Sequence, residues 1–361
     1  MSEVLKTGEQ RLGGQLEILP QGVPAKIQRD GGGEPAVVVN PLQPKIYFDW
    51  RVLSPLVSVG FMLLLQLNLP TYSGYRLKVL PYFTVSLYLL TAFFAVSAVV
   101  TVFNRKYRQI LAYKAWFLSA AFLVVNLYNL VTIKLNLIPS IYFPAPERII
   151  QVFITDWAFM LQCLLYSLRL LLGGFFLGAF LGVLTGTLIG WSPRWNYWVM
   201  PLIRIVGPIP STAWIPIALV IFTRATDAAL FLIALGVWFP TTILTSSGIL
   251  NVRKSYFEVS GTLGAGTLRN ILSIALPGAA PNIFTGLFNG TSSSFLTLMA
   301  AEMIGCKFGI GWYINWQRET LAYSQVYAAL IVIAVTFSFL INIQFKIRNR
   351  ALSWQKGTIR W

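Results

Sequence analysis

Apolar residues gather in eight long runs, at about 52–69, 79–103, 115–138, 164–190, 199–222, 228–250, 282–304 and 323–345. A helix rises 1.5 Å per residue, so ~20 apolar residues cross the ~30 Å hydrocarbon core of a bilayer. The pattern predicts an all-α polytopic membrane protein with about eight transmembrane helices. Pro55 in the short first run leaves an odd number of crossings as the alternative. Most polar stretches between the runs are short, with two exceptions. Residues 1–48 mix charge, proline and a Gly31–Gly33 run without the apolar centre of a signal peptide, which predicts a flexible, uncleaved tail. Residues 251–281 mix apolar and charged residues and end in Leu276-Pro277, which predicts an ordered loop. Within it Phe257, Leu263, Leu268, Ile271 and Leu272 are expected on one face of short helices broken at Gly264 and Gly266.

Composition sharpens this. Hydrophobic residues make up 56% of the chain and charged residues 11%, against roughly 25% charged in soluble domains. So few charges cannot cover a water-facing surface, which excludes a soluble enzyme. The chain has no histidine, so imidazole catalysis and most zinc sites are excluded and no catalytic or metal-ligating residue is assigned. Cys163 and Cys306 are expected as two buried thiols, a single bridge being the alternative.

The net charge of +16 does not point to nucleic acid. Residues 1–50 are nearly balanced, while the other 311 hold 23 Lys/Arg and only Glu147, Asp156, Asp227, Glu258, Glu302 and Glu319 as acids. Those cations sit mostly in short loops, as topology signals do. A cytoplasmic N-terminus places 15 of the 23 in cytoplasmic segments and five of the six acids outside. Both termini are therefore expected in the cytoplasm.

Three patterns within the runs invite a role. Gly174, Gly178, Gly182, Gly186 and Gly190 recur at every fourth residue and form one helical stripe. Small residues let helices approach closely in lipid, so the stripe predicts a packing face, with a pore lining as the weaker alternative. Pro208, Pro210 and Pro216 interrupt the fifth run and release backbone groups that lipid cannot satisfy. Pro210 is a candidate for a translocation pathway, and a packing kink is the alternative. Asn289 and Ser293 share a helical face in a polar cluster of the seventh run, and Glu302 lies toward that run's outer end. All three are pathway candidates. The structural alternatives are helix-to-helix hydrogen bonds and, for Glu302, an interfacial carboxylate bonded to a neighbouring helix or paired with an Arg such as Arg169.

The segment Gly261–Thr267, GTLGAGT, lacks the lysine of a phosphate-binding loop and follows no strand. No other segment offers a nucleotide site, so no cofactor is expected in this chain and any ATP must be hydrolysed by another.

The same loop carries a family resemblance. Glu258-Val259-Ser260, then Gly264, then Ile274, Leu276 and Pro277 after nine residues, match the spacing EAA-x3-G-x9-I-x-LP. This resembles the permease subunits of binding-protein-dependent ABC importers, with Val259 and Ser260 in place of two alanines. LIPSIYFPAPERI (137–149), IVGPIPSTAWIPIA (205–218), LGVWFP (235–240) and AAEMIGCKFGIGWYI (300–314) look like the branch importing nitrate, sulfonates, taurine and bicarbonate.

The resemblance implies a six-helix core over 111–361, preceded by two extra helices over 49–110. It implies that loop 251–281 docks on an ATPase and is mechanical rather than catalytic. It implies two ABC ATPase subunits, an extracytoplasmic solute-binding protein and a permease homodimer within lipid, in a bacterial or archaeal inner membrane. The expected function is then ATP-driven import of a small, anionic solute by alternating access. The competing readings are an ion-coupled carrier, for which only Glu302 and Arg169 offer intramembrane charge, and a membrane enzyme, disfavoured by the lack of paired carboxylates.

Overall fold

The computed structural model describes residues 28–29, 35–36, 50–70 and 81–354. Residues 1–50 and 51–361 form two separate units. In the first, strands β1 (Gln28–Arg29) and β2 (Pro35–Ala36) pair antiparallel, with Gln28 opposite Ala36. The rest of the expected tail, and Arg76, Lys78, Lys356 and Arg360, lie outside the described residues.

Among its described residues the second unit consists of helices joined by turns and short irregular segments, with no strand. The N-terminal helices are α1 (Ser54–Asn68), α2 (Tyr82–Phe103), α3 (Arg105–Asn129) and the short α4 (Pro146–Thr155). Next come α5 (Trp157–Trp191), α6 (Pro193–Val206), α7 (Ile215–Ile221) and α8 (Ala225–Leu250). The chain continues through α9 (Lys254–Thr262), α10 (Thr267–Asn270), α11 (Leu276–Ile304), α12 (Ile310–Glu319) and α13 (Tyr323–Ala351).

Among the described residues, seven helical stretches are long and apolar enough to cross a membrane. The expected single helix over 199–222 is instead a broken pair, α6 and the segment Ser211–Ile221, bent by 84°. Pro208 and Pro210 cause the break, because each lacks an N–H and its ring blocks the preceding turn. The third helix also starts ten residues earlier than expected. Only Asn104 separates it from α2, where its side chain caps α3 by accepting a hydrogen bond from the Tyr107 amide at 3.1 Å.

Relative helix directions settle how often the chain crosses. On α5, Gly174 faces Ile233 and Gly190 faces Ile249 on α8, so these two helices run parallel. The chain must therefore return between Trp191 and Ala225, and the broken pair α6–α7 makes that crossing. Gly248 meets Ala279 while Gly290 meets Val237, so α11 runs antiparallel to α8. Thr291 Oγ1 on α11 lies 3.1 Å from the side-chain amide of Gln344 on α13, and the start of α13 packs beside Met160 and Cys163 at the start of α5. Ser119 donates to Ser54 at one end of α1 and Asn129 to Gln66 at the other, so α1 and α3 are parallel. Gln66 also reaches Glu147 on α4 at 3.4 Å. The beginning of α1 and the end of α13 consequently lie on the face that carries α9, with α4 and α12 on the opposite face.

The glycine stripe is a packing face. Each of its glycines meets α8 at a position 59 residues further along the chain, from Ile233 to Ile249. A Cβ built on Gly182 would lie 2.7 Å from Thr241 Cβ and 3.0 Å from the Trp238 carbonyl oxygen. Beside it, Thr185 shares a 2.8 Å hydrogen bond with Thr242 and accepts one from Trp238 Nε1 at 3.0 Å. Close backbone approach and interhelical hydrogen bonds together hold α5 to α8, as expected where lipid removes the apolar driving force.

Candidate functional site

On the α9 face the chain leaves α8 at Asn251 and turns into α9. Phe257 packs inward on Trp191 with ring centroids 5.6 Å apart, beside Ile249 and Ala275. Ser260, also buried, donates to Asn270 Oδ1 at 2.5 Å. Two points therefore tie α9 to the ends of α5, α8 and α11. The other apolar side chains point away: Tyr256 and Val259 on α9, Leu263 just after it, and Leu268 and Leu272 beyond are exposed. The expected shared face is thus split, since Phe257 is turned toward the core and Leu263, Leu268 and Leu272 toward water.

The turn after α9 is tightly specified. The Gly264 amide donates to the Gly261 carbonyl at 3.0 Å and the Ala265 amide to the Ser260 carbonyl at 3.1 Å. That is a Schellman ending, which needs a left-handed residue, and Gly264 has φ +74°. Glu258 sits in the middle of α9, exposed and without a partner among the described residues. Ile274 belongs to a π-helical turn, Ile271–Ala275, and Leu276 and Pro277 begin α11. Pro277 cannot donate an ordinary helical hydrogen bond, and the wider turn before it accommodates that loss. The chain is helical from Thr267 to Ile304, so the free loop is shorter than 251–281.

Within the helical layer, the break between α6 and α7 opens a cavity of about 210 Å³ against α8 and α11. Pro210, Asn289 and Ser293 all line it, together with Ser211, Gly236 and Phe239. The structure brings these three candidates together and keeps Glu302 away from them. Glu302 is completely buried, and Ser167 Oγ lies 2.7 and 2.9 Å from its two carboxylate oxygens. The Gly311 amide donates to it at 2.8 Å, while the Ile310 amide donates to Ser167 Oγ at 2.8 Å. Arg169 is exposed and makes no ion pair with Glu302. The carboxylate and Ser167 instead satisfy the first amides of α12, a capping role supplied by two other helices.

Removing that acceptor strands buried donors. Glu302→Ala is expected to lower stability by about 1–3 kcal/mol, and Glu302→Gln, which keeps an acceptor, by less. Thermal unfolding in detergent measures both.

The other polar residues of α11 mostly bond to their own helix, as Thr291 does to the Leu287 carbonyl and Ser294 to the Thr291 carbonyl. Cys163 and Cys306 are both buried and free, so no bridge joins them.

Residues 174–354, half of the chain, match the family of binding-protein-dependent transport system inner membrane components. The chain belongs to this family. Among its relatives, the taurine transport system permease protein TauC of Escherichia coli is 28% identical over 63% of this chain and 84% of TauC. The bicarbonate transport system permease protein CmpB of Synechococcus elongatus is 32% identical over 54% of this chain and 66% of CmpB. The nitrate import permease protein NrtB of Leptolyngbya laminosa is 31% identical over 47% of this chain and 61% of NrtB.

The family region begins inside α5 and takes in both the α9 loop and the cavity. This permease is therefore a multi-pass inner-membrane transport component, dependent on a binding protein, with α1–α4 preceding the matched region. Three contributors escaped sequence reasoning: Trp191 beneath α9, Ser211 and Gly236. Trp191 ends a long apolar run and resembles an interfacial anchor. Gly236 lies in the quoted LGVWFP segment, but nothing in its spacing marks it as a cavity wall.

Proposed function

We propose that this permease carries a small oxyanion inward, with ATP hydrolysed by separate ABC ATPase subunits that dock on α9. One observation carries the docking: Tyr256, Val259 and Leu263 form an apolar ridge exposed beyond the membrane layer, on the cation-rich face. Apolar patches exposed to water mark protein partners. Behind the ridge, Phe257 and Ser260 link α9 to three membrane-spanning helices. A push on α9 reaches the helices around the cavity through those two contacts. In this reading Glu258, Val259, Ser260, Gly264, Ile274, Leu276 and Pro277 transmit force, and no cofactor resides in the chain.

Relatives named for taurine, bicarbonate and nitrate support a small anionic solute. Two permease copies surrounded by lipid, two ATPases and an external binding protein complete the assembly. The core runs over 111–361, the tail over 1–48, and 49–110 adds helices α1 and α2, which pack on the core as a stabilising layer.

The charge asymmetry supports a cytoplasmic α9 face and cytoplasmic termini. With Cys163 and Cys306 replaced by alanine, an impermeant thiol reagent applied to intact cells should label Lys307→Cys at once. Lys254→Cys should react only after permeabilisation. The opposite pattern would invert the assignment.

A further inference from the structure

The cavity beside the α6–α7 break has a chemistry of its own. None of its lining residues is charged. Its volume of about 210 Å³ falls below the ~300–1,000 Å³ typical of pockets for drug-sized ligands. Thr297 Oγ1 donates to the Ser293 carbonyl at 2.9 Å, so its proton is committed. Ser211 Oγ and Thr297 Oγ1 share a hydrogen bond at 2.5 Å. Two free donors remain: the Asn289 amide and the Ser293 hydroxyl, neither bonded to any described residue. Asn289 is exposed midway along α11. An unpartnered amide at that depth is costly against lipid, and a water-filled route satisfies it. On the opposite wall Gly236 supplies no side chain. A Cβ there would come 3.1 Å from Ser211 Oγ and 3.2 Å from Ser293 Oγ.

We infer that Asn289 and Ser293 are specificity-determining residues that donate hydrogen bonds to a small oxyanion as it crosses, and that Gly236 sets the width of that passage. The inference rests on the permease reading above and adds the chemistry of the route. Uncharged donors replace part of the anion's hydration without trapping it, and a site meant for passage must bind weakly enough to release. A cation is disfavoured by the surrounding field, since residues 51–361 hold 23 Lys/Arg against six acids. The affinity then belongs to the external binding protein, and the permease contributes only a filter.

The test uses the complete transporter, with ATPase and binding protein, in proteoliposomes. Nitrate, bicarbonate, ethanesulfonate and taurine are offered as probes, and uptake is measured per ATP hydrolysed. Loss of a hydrogen bond to a charged group predicts a fall of about tenfold or more for both Asn289→Leu and Ser293→Ala. Gly236→Ala should slow the sulfonates more than nitrate. Binding-protein-stimulated ATP hydrolysis should stay within about twofold of the parent, because α9 is untouched.

Unchanged uptake per ATP in both donor variants would overturn the inference. So would a parental transporter that hydrolyses ATP with its binding protein but moves none of the four oxyanion-bearing solutes. A parent that binds no ATPase would instead remove the permease reading itself.

One measurement does not depend on uptake. In the chain lacking Cys163 and Cys306, Asn289→Cys should react about tenfold faster with an anionic than with a cationic methanethiosulfonate, each normalised to free cysteine. Equal rates, or a faster cation, would contradict an anion-selective route.

Discussion

Gly264→Asp is expected to abolish ATP-dependent uptake while leaving the permease inserted and folded. The reason is local. Gly264 closes α9 in the left-handed region at φ +74°, and its amide and that of Ala265 complete the helix ending. A side chain in that region costs roughly 1–2 kcal/mol, and aspartate is among the residues that tolerate it best. Nothing lies within 4 Å of a Cβ built there, so no clash disturbs the rest of the chain. The new carboxylate instead stands beside exposed Leu263 on the apolar ridge. Burying an unpaired charge in a protein interface commonly costs more than ~2 kcal/mol, which weakens binding more than tenfold. Copurification with the ATPase should therefore be lost along with uptake, while the unfolding midpoint in detergent changes little. Retention of the ATPase and uptake at the parental rate would remove α9 from the coupling path.

Gly182→Leu is expected to act on the fold itself. A single Cβ at Gly182 already meets Thr241 and the Trp238 carbonyl oxygen inside contact distance. Leucine adds three more carbons, and the parallel α5–α8 pair can admit them only by separating. Overpacking a well-packed site typically costs 1–3 kcal/mol, and here separation also breaks the Thr185 bonds to Thr242 and Trp238. The variant should lose its monodisperse peak in detergent or unfold many degrees earlier. Val183→Leu, one step around the helix and only half-buried, should behave almost like the parent. Equal stability of the two variants would mean that α5 and α8 are not packed along this stripe.

What could be read from the residues alone follows from the physics of each signal. Helix number and the glycine stripe were legible, because hydropathy and four-residue spacing are periodic and local. So was the α9 loop, since a left-handed helix ending needs glycine at one position and Gly264 stands there. The fifth run defeated the same approach. Its apolar content is that of a span, and only the pair Pro208 and Pro210 hinted at an 84° bend. That the bent pair still crosses, as its hydropathy predicted, follows from α5 and α8 being parallel. For Glu302 the expected bond to a neighbouring helix is present, through Ser167, and only the suggested arginine partner is absent. A carboxylate near a membrane surface suggests an arginine, yet its donors are the Gly311 amide and Ser167. Asn289, Ser293 and Pro210 share one cavity because α11 turns that face toward the break. Gly236 joined them only once the missing side chain could be placed in space.

The most direct test is to purify this permease from its own membrane without adding partners, then assay uptake in sealed liposomes. The account predicts that an ABC ATPase copurifies in equal amount. It also predicts that radiolabelled solute, presented on its binding protein, enters only when ATP is present on the α9 side. Uptake by the chain alone, driven by an imposed proton or sodium gradient without ATP, would contradict it and make the protein an ion-coupled carrier.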